Sequence, residues 1–101
     1  MLDQESSGTI VIMSSVTTID WGSLNAAYLT SEHGLLGLNT HISRHYGARG
    51  IRCNCIFLGA LEQKPNHDIH PDPNGRAARL EASISLGRLA TPSDIALWVT
   101  F

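Results

Sequence analysis

The sequence predicts an α/β fold, part of a doubly wound parallel sheet in which two strands are joined by one long crossover helix. Three stretches predict it. Gly8 to Ser14 is an apolar run without alternation, the pattern of a strand covered on both faces. From Ser23 to Tyr46, the residues Leu24, Ala27, Tyr28, Ser31, Leu35, Leu38, Ile42 and Tyr46 recur at three- and four-residue steps and trace one helical stripe. Ile51 to Phe57 then reads as a second short strand. Strand, helix, strand in that order closes a right-handed crossover with parallel strands.

The remaining elements follow from local signals. Met1 to Ser7 is polar and without period, as in a frayed end. Ser23 or Asn25 can cap the long helix, and Gly47 ends it. Gly34 and Gly37 lie inside it at a cost of about 1 kcal/mol each against alanine, so they mark either a close approach by another element or a tolerated defect. Gly47-Ala48-Arg49-Gly50 turns the chain into the second strand, and Leu58-Gly59 closes that strand. Residues 60–75 gather three of the four prolines among polar residues and read as a long loop. Arg76 to Leu86 has helical character and stops at Gly87. Thr91-Pro92-Ser93-Asp94 opens a last helix with a cap, a proline in the first turn and an acid three residues after the cap. There is no internal repeat.

Composition narrows the function. A chain of 101 residues holds at most one domain, and its 43 % hydrophobic and 16 % charged residues describe a globular segment. A net charge of -2 with no basic cluster gives no support for binding nucleic acid or an anionic membrane. No apolar run approaches the roughly 20 residues of a membrane span, and the acidic start is unlike a targeting segment, so a cytoplasmic location is expected.

Several side chains invite a chemical reading and a plainer one. Cys53 and Cys55 point to one sheet face and read as small buried hydrophobes rather than a redox pair. His41 and His45, at i and i+4, could ligate a metal, but the sequence places no third ligand near them, and a solvated helix face is the favoured reading. His67, Asp68, His70 and Asp72 crowd the proline-rich loop and could at most hold a cation weakly. No metal site is expected. Trp21 reads as packing and Trp98 as core.

The arrangement that looks like chemistry is Ser15 with Tyr28. A hydroxyl at a strand's carboxyl end, opposite a phenol one turn into the next helix, suits proton exchange with a carbonyl or alcohol oxygen. With the segments SGTIVIMSS, YLTSEHGLLGL, YGARGIRCNCIFLG and LGRLATPSDIA, in that order, the chain resembles the carboxyl-side half of the short-chain dehydrogenase/reductase family. The resemblance implies one incomplete Rossmann-like domain over residues 1–101. It also implies hydride transfer between NAD or NADP and a small carbonyl or alcohol, with Ser15 orienting the substrate oxygen and Tyr28 as general acid/base. Cofactor contacts would fall on Tyr28, on position 32 and on Gly59. Asn54 matches the family's strand-end asparagine.

The departures lie on the nicotinamide side. Where the family carries lysine four residues after the tyrosine, this chain has Glu32; the family's Pro-Gly reads Leu58-Gly59, and its cofactor-contacting threonine reads Gln63. The glycine-rich turn that cradles pyrophosphate is not in this sequence. At ~6 Å and an effective dielectric of ~20, an ionised glutamate opposes a phenolate by about 2–3 kcal/mol, where a lysine favours it. The expectation is a chain without turnover of its own. An alternative is an interaction protein: Ser23 to Tyr46, which helps form the subunit interface in the family, could dock on a second copy or a full-length relative. Ser15 and Tyr28 would then be an inherited hydroxyl pair serving structure alone.

Overall fold

The computed structural model describes residues 1–2, 6–19, 25–62 and 75–100. Strand β1 is Gly8–Ser15, helix α1 is Ala26–Tyr46 and strand β2 is Ile51–Leu58, followed by helices α2, Arg76–Ser83, and α3, Pro92–Thr100. A 3-10 turn, Val16–Thr18, follows β1, and another, Gly47–Arg49, follows α1. The chain forms two compact units, Met1–Leu58 and Gly59–Phe101.

In the first unit β1 and β2 pair in parallel along their whole length, from Gly8 opposite Ile51 to Ser15 opposite Leu58. Parallel strands with a helix between them require α1 to run back against the strand direction, and α1 packs on both strands. Alternation along each strand puts Ser14, Ile51 and Cys53 on the face under α1, and these three are the buried residues among those described. The opposite face is open among the described residues: Thr9, Arg52 and Asn54 are exposed, and Met13 is 49 % exposed. A strand covered on both faces was the expectation from the apolar run of β1, and only the α1 side is covered. Arg52 bridges the open face, its Nη2 donating to Thr9 Oγ1 at 2.8 Å.

Asn25 caps α1, its side-chain oxygen accepting from the Tyr28 backbone N–H at 2.9 Å. Ser23, the other expected cap, lies outside the described residues, as do Trp21 and the loop residues 63–74. Gly47 ends α1 in right-handed conformation, and the left-handed turn falls three residues later, at Gly50 with φ 77°. That glycine aims its carbonyl at the Gly8 N–H, 3.0 Å away, and starts the parallel pair. A Cβ on Gly34 or Gly37 would meet nothing within 4 Å among the described residues, so neither marks a close approach by any of them.

In the second unit α2 stops at Ser83, short of the expected Leu86, and a turn through Gly87 at φ 65° leads to an isolated parallel bridge between Leu61 and Ala90. The start of α3 is built as its sequence predicts. Asp94 accepts from the Thr91 N–H at 2.8 Å and from the Thr91 hydroxyl at 2.9 Å, and its own N–H donates to Thr91 Oγ1 at 3.2 Å. Arg88 adds two charge-assisted bonds to the same carboxylate, at 2.8 and 3.2 Å. Trp98, expected in the core, is 67 % exposed.

The Arg88 hydrogen bonds, followed by those of Thr91, hold the Asp94 carboxyl far below the usual carboxylate range. A depressed carboxylate contributes stability that is present above its unfolded value, ~3.9, and is lost as pH falls toward its folded one. Asp94→Asn is therefore expected to lower the melting temperature at neutral pH, with the gap from the wild-type chain closing as the pH is taken below ~4. Thermal melts at a series of pH values check this, and a gap independent of pH would contradict it.

Candidate active site

The site expected from sequence lies at the carboxyl end of β1. Ser15 is the last residue of that strand and caps the 3-10 turn after it, its oxygen accepting from the Thr17 N–H at 3.2 Å and the Thr17 hydroxyl at 2.9 Å. Thr18 Oγ1 donates to the Ser15 carbonyl at 2.8 Å. The turn therefore fixes the serine's position while leaving its own O–H proton free to point elsewhere. Tyr28 sits in the first turn of α1, 39 % exposed. Among the described residues no hydrogen bond joins Ser15 to Tyr28.

A residue that sequence reading passed over ties the two elements together. Ser14, 4 % exposed, donates to Glu32 Oε2 at 2.9 Å and lies 3.4 Å from the Glu32 carbonyl oxygen. This contact sets the level of the helix against the strand. Because α1 runs against β1, stepping back one turn from Glu32 to Tyr28 climbs ~6 Å toward the strand's carboxyl end, and stepping from Ser14 to Ser15 climbs ~3.3 Å the same way. Helical side chains lean toward the helix N-terminus, which carries the phenol further in that direction. Tyr28 and Ser15 accordingly occupy the same end of the unit. The signal that could have revealed the tie is the serine doublet itself: alternation turns one of two adjacent strand residues toward the crossover helix.

Glu32 is half-buried, and its carboxylate also acts on the sheet beneath it. Burial pushes the Cys55 thiol above its ordinary value, with smaller contributions from Cys53 and the Glu32 charge. Cys55, expected to be buried, is half-buried, and its raised value keeps it a neutral thiol at physiological pH; Cys53 is buried, and both are free. A raised thiol contributes stability that is present below its unfolded value and is lost as pH rises through the folded one.

Gly59, the expected cofactor contact after β2, is exposed, and a Cβ there would meet nothing within 4 Å. Gln63, at the threonine position, lies outside the described residues, as do His67, Asp68, His70 and Asp72. Among the described residues no three metal-ligating side chains cluster, and no helix is long and apolar enough to cross a membrane.

Comparison with known proteins agrees with the α/β architecture. The family described as enoyl-(acyl carrier protein) reductase matches residues 1–101. L-rhamnose-1-dehydrogenase of Scheffersomyces stipitis is 33 % identical over 96 residues, covering 95 % of this chain and 37 % of the relative. The NAD(P)-dependent L-rhamnose 1-dehydrogenase of Azotobacter vinelandii is 31 % identical over 101 residues, covering 100 % of this chain and 39 % of the relative. Among solved structures, a proposed NAD(P)-dependent gluconate 5-dehydrogenase from Beutenbergia cavernae, with NADP bound at low occupancy, superposes with a TM-score of 0.79 at 33 % identity. That match covers 94 % of this chain and 37 % of the solved one. The chain thus spans less than half the length of these relatives. It belongs to the short-chain dehydrogenase/reductase family.

Proposed function

We propose that this chain carries the substrate-oxygen side of an NAD(P)-dependent short-chain oxidoreductase acting on a small carbonyl or alcohol, and that as it stands it does not turn over. In this reading Ser15 orients the substrate oxygen and Tyr28 donates a proton to it in the reducing direction, or accepts one in the oxidising direction. The observation that carries the reading is the Ser14–Glu32 hydrogen bond, which sets strand and helix so that Ser15 and Tyr28 share one end of the unit.

The same bond speaks against a competent nicotinamide site on this chain alone. NAD(P), when bound, supplies or takes the hydride. The family holds its ribose with a cation, and here that position is a glutamate whose carboxylate is already engaged by a buried serine. Tyr28 and Glu32 therefore do not make a fitting cofactor site by themselves. A cytoplasmic setting is part of the proposal.

A second reading is favoured by one feature: the two-stranded sheet has an open face and two outer edges that are unpaired among the described residues. Unpaired strand edges recruit other strands. The chain would then associate with a second copy or a full-length relative, with no catalysis.

One set of measurements separates the two. NADPH binding, reduction of a panel of small ketones and aldehydes, and sedimentation are followed for the chain and for Glu32→Lys. The enzyme reading expects no turnover by the chain, with measurable cofactor binding and weak turnover appearing in Glu32→Lys and lost again on adding Tyr28→Phe. Robust reduction by the unaltered chain would refute the account of Glu32. Cofactor silence in both forms, with tight association, would favour the interaction reading.

A further inference from the structure

We propose that Thr17 is a positioning residue for Ser15: its backbone and side chain together fill the acceptor side of the Ser15 hydroxyl, so that this group serves only as a donor to the substrate oxygen. The role rests on the oxidoreductase reading above, in which Ser15 faces that oxygen.

A serine hydroxyl carries one proton and two acceptor lone pairs. At Ser15 the Thr17 N–H donates to the oxygen at 3.2 Å and the Thr17 hydroxyl donates to it at 2.9 Å. Both lone pairs are then taken, by groups of a single neighbour. Among the described residues nothing accepts the Ser15 proton, which is left for an oxygen brought to the site. The 3-10 turn Val16–Thr18 explains why both bonds reach one atom. It holds Thr17 over the end of β1 and is closed by the Ile19 N–H, which donates to the Val16 carbonyl at 2.9 Å. Thr17 is half-buried, which partly shelters its hydroxyl from competing water.

The effect on chemistry is one of polarity. A hydroxyl that accepts a hydrogen bond is polarised and becomes a stronger donor, so the run from Thr17 through Ser15 to the substrate strengthens as negative charge builds on the substrate oxygen. With its lone pairs occupied, Ser15 offers no acceptor to a substrate hydroxyl, and an alcohol must pass its proton to Tyr28. Thr18 supplies a control within the same turn: its hydroxyl donates to the Ser15 carbonyl at 2.8 Å, not to Oγ.

Carbon NMR of the 101-residue chain in an equal mixture of H2O and D2O tests the arrangement without any turnover. A slowly exchanging hydroxyl splits the resonance of its own Cβ, whereas a freely exchanging one gives a single averaged line. The expected result is a split line for Thr17, a single line for Ser15, and loss of the Thr17 splitting in Ser15→Ala. A split Ser15 line overturns the proposal, because Ser15 would then be a donor inside the pair; a single Thr17 line overturns it too, because the bond would not persist. The catalytic effect is read in the Glu32→Lys chain, with circular dichroism checking the fold of each variant. There Thr17→Val is expected to lower kcat ~10-fold with KM changed less than ~2-fold, while Thr17→Ser, which keeps the hydroxyl, and Thr18→Val stay within ~2-fold. Equal losses in Thr17→Val and Thr18→Val would make Thr17 a part of the turn and nothing more, and an unchanged or raised kcat in Thr17→Val overturns the role outright. Absence of turnover in Glu32→Lys itself, with the Thr17 line split, removes the oxidoreductase reading and the role with it, while the hydrogen-bond arrangement stands.

Discussion

Replacing Glu32 with alanine is expected to destabilise the first unit by about 1–2 kcal/mol, while Glu32→Gln changes stability by less than about 0.5 kcal/mol. The asymmetry follows from Ser14. Ser14 is 4 % exposed, and its hydroxyl donates to Glu32 Oε2 at 2.9 Å. Glutamine keeps an oxygen of the same reach to receive that proton. Alanine leaves a buried donor with only the Glu32 carbonyl, at the long distance of 3.4 Å, as a substitute. Ser14→Ala, which removes the donor instead of stranding it, is expected to cost less than Glu32→Ala. Urea melts of the three single variants and the Ser14→Ala, Glu32→Ala double variant give the coupling energy. Equal effects of alanine and glutamine at position 32 would show that the hydrogen bond contributes nothing.

Ile51→Ala carries the largest expected loss, about 2–4 kcal/mol, with Ile51→Val near 1 kcal/mol. Ile51 is 5 % exposed, and it and Cys53 are the two buried hydrophobic residues among those described. It opens β2 directly after the left-handed Gly50 and pairs with Gly8 at the start of the sheet. A large-to-small change here removes apolar contact where few neighbours can move in to refill the space. Against the modest stability of a segment this small, that loss unfolds a large fraction of molecules at ordinary temperature. The readout is the urea midpoint of the two variants. A midpoint for Ile51→Ala indistinguishable from that of the unaltered chain would mean that the α1–β2 contact is not the core of the unit.

Elements governed by neighbours in sequence were legible before the structure. The apolar run of β1, the Asn25 cap and the Thr91–Asp94 box depend on groups within about four positions, and each is found where it was expected. The helix α1 is there too, but of its expected stripe Ala27, Tyr28, Ser31 and Leu38 are exposed, and the half-buried side runs through Leu29, Glu32, Leu35, Asn39 and Ile42. What depended on distant partners was not. Gly34 and Gly37 suggested either a close neighbour or a tolerated defect, which only the fold decides, and none of the described residues approaches them. Trp98 was assigned to a core by its apolarity, yet the side of α3 that it occupies is exposed. The Ser14–Glu32 bond joins residues 18 positions apart, and only the register of helix on strand brings them together. At the candidate site, the residue types were recognisable from their spacing, whereas the commitment of Glu32 to the sheet required knowing which of two adjacent serines faces the helix.

The parallel pairing also dictates an order of events in folding. Thr9 and Arg52 meet across the sheet although 43 positions separate them, so the strands cannot find each other through a tight hairpin. Closing so wide a loop of flexible chain is entropically slow, and a preformed α1, rising only ~1.5 Å per residue, shortens the search. On a ribosome β1 must therefore wait, uncovered, until the whole crossover has emerged, and this interval is when the nascent chain most needs a chaperone's shelter.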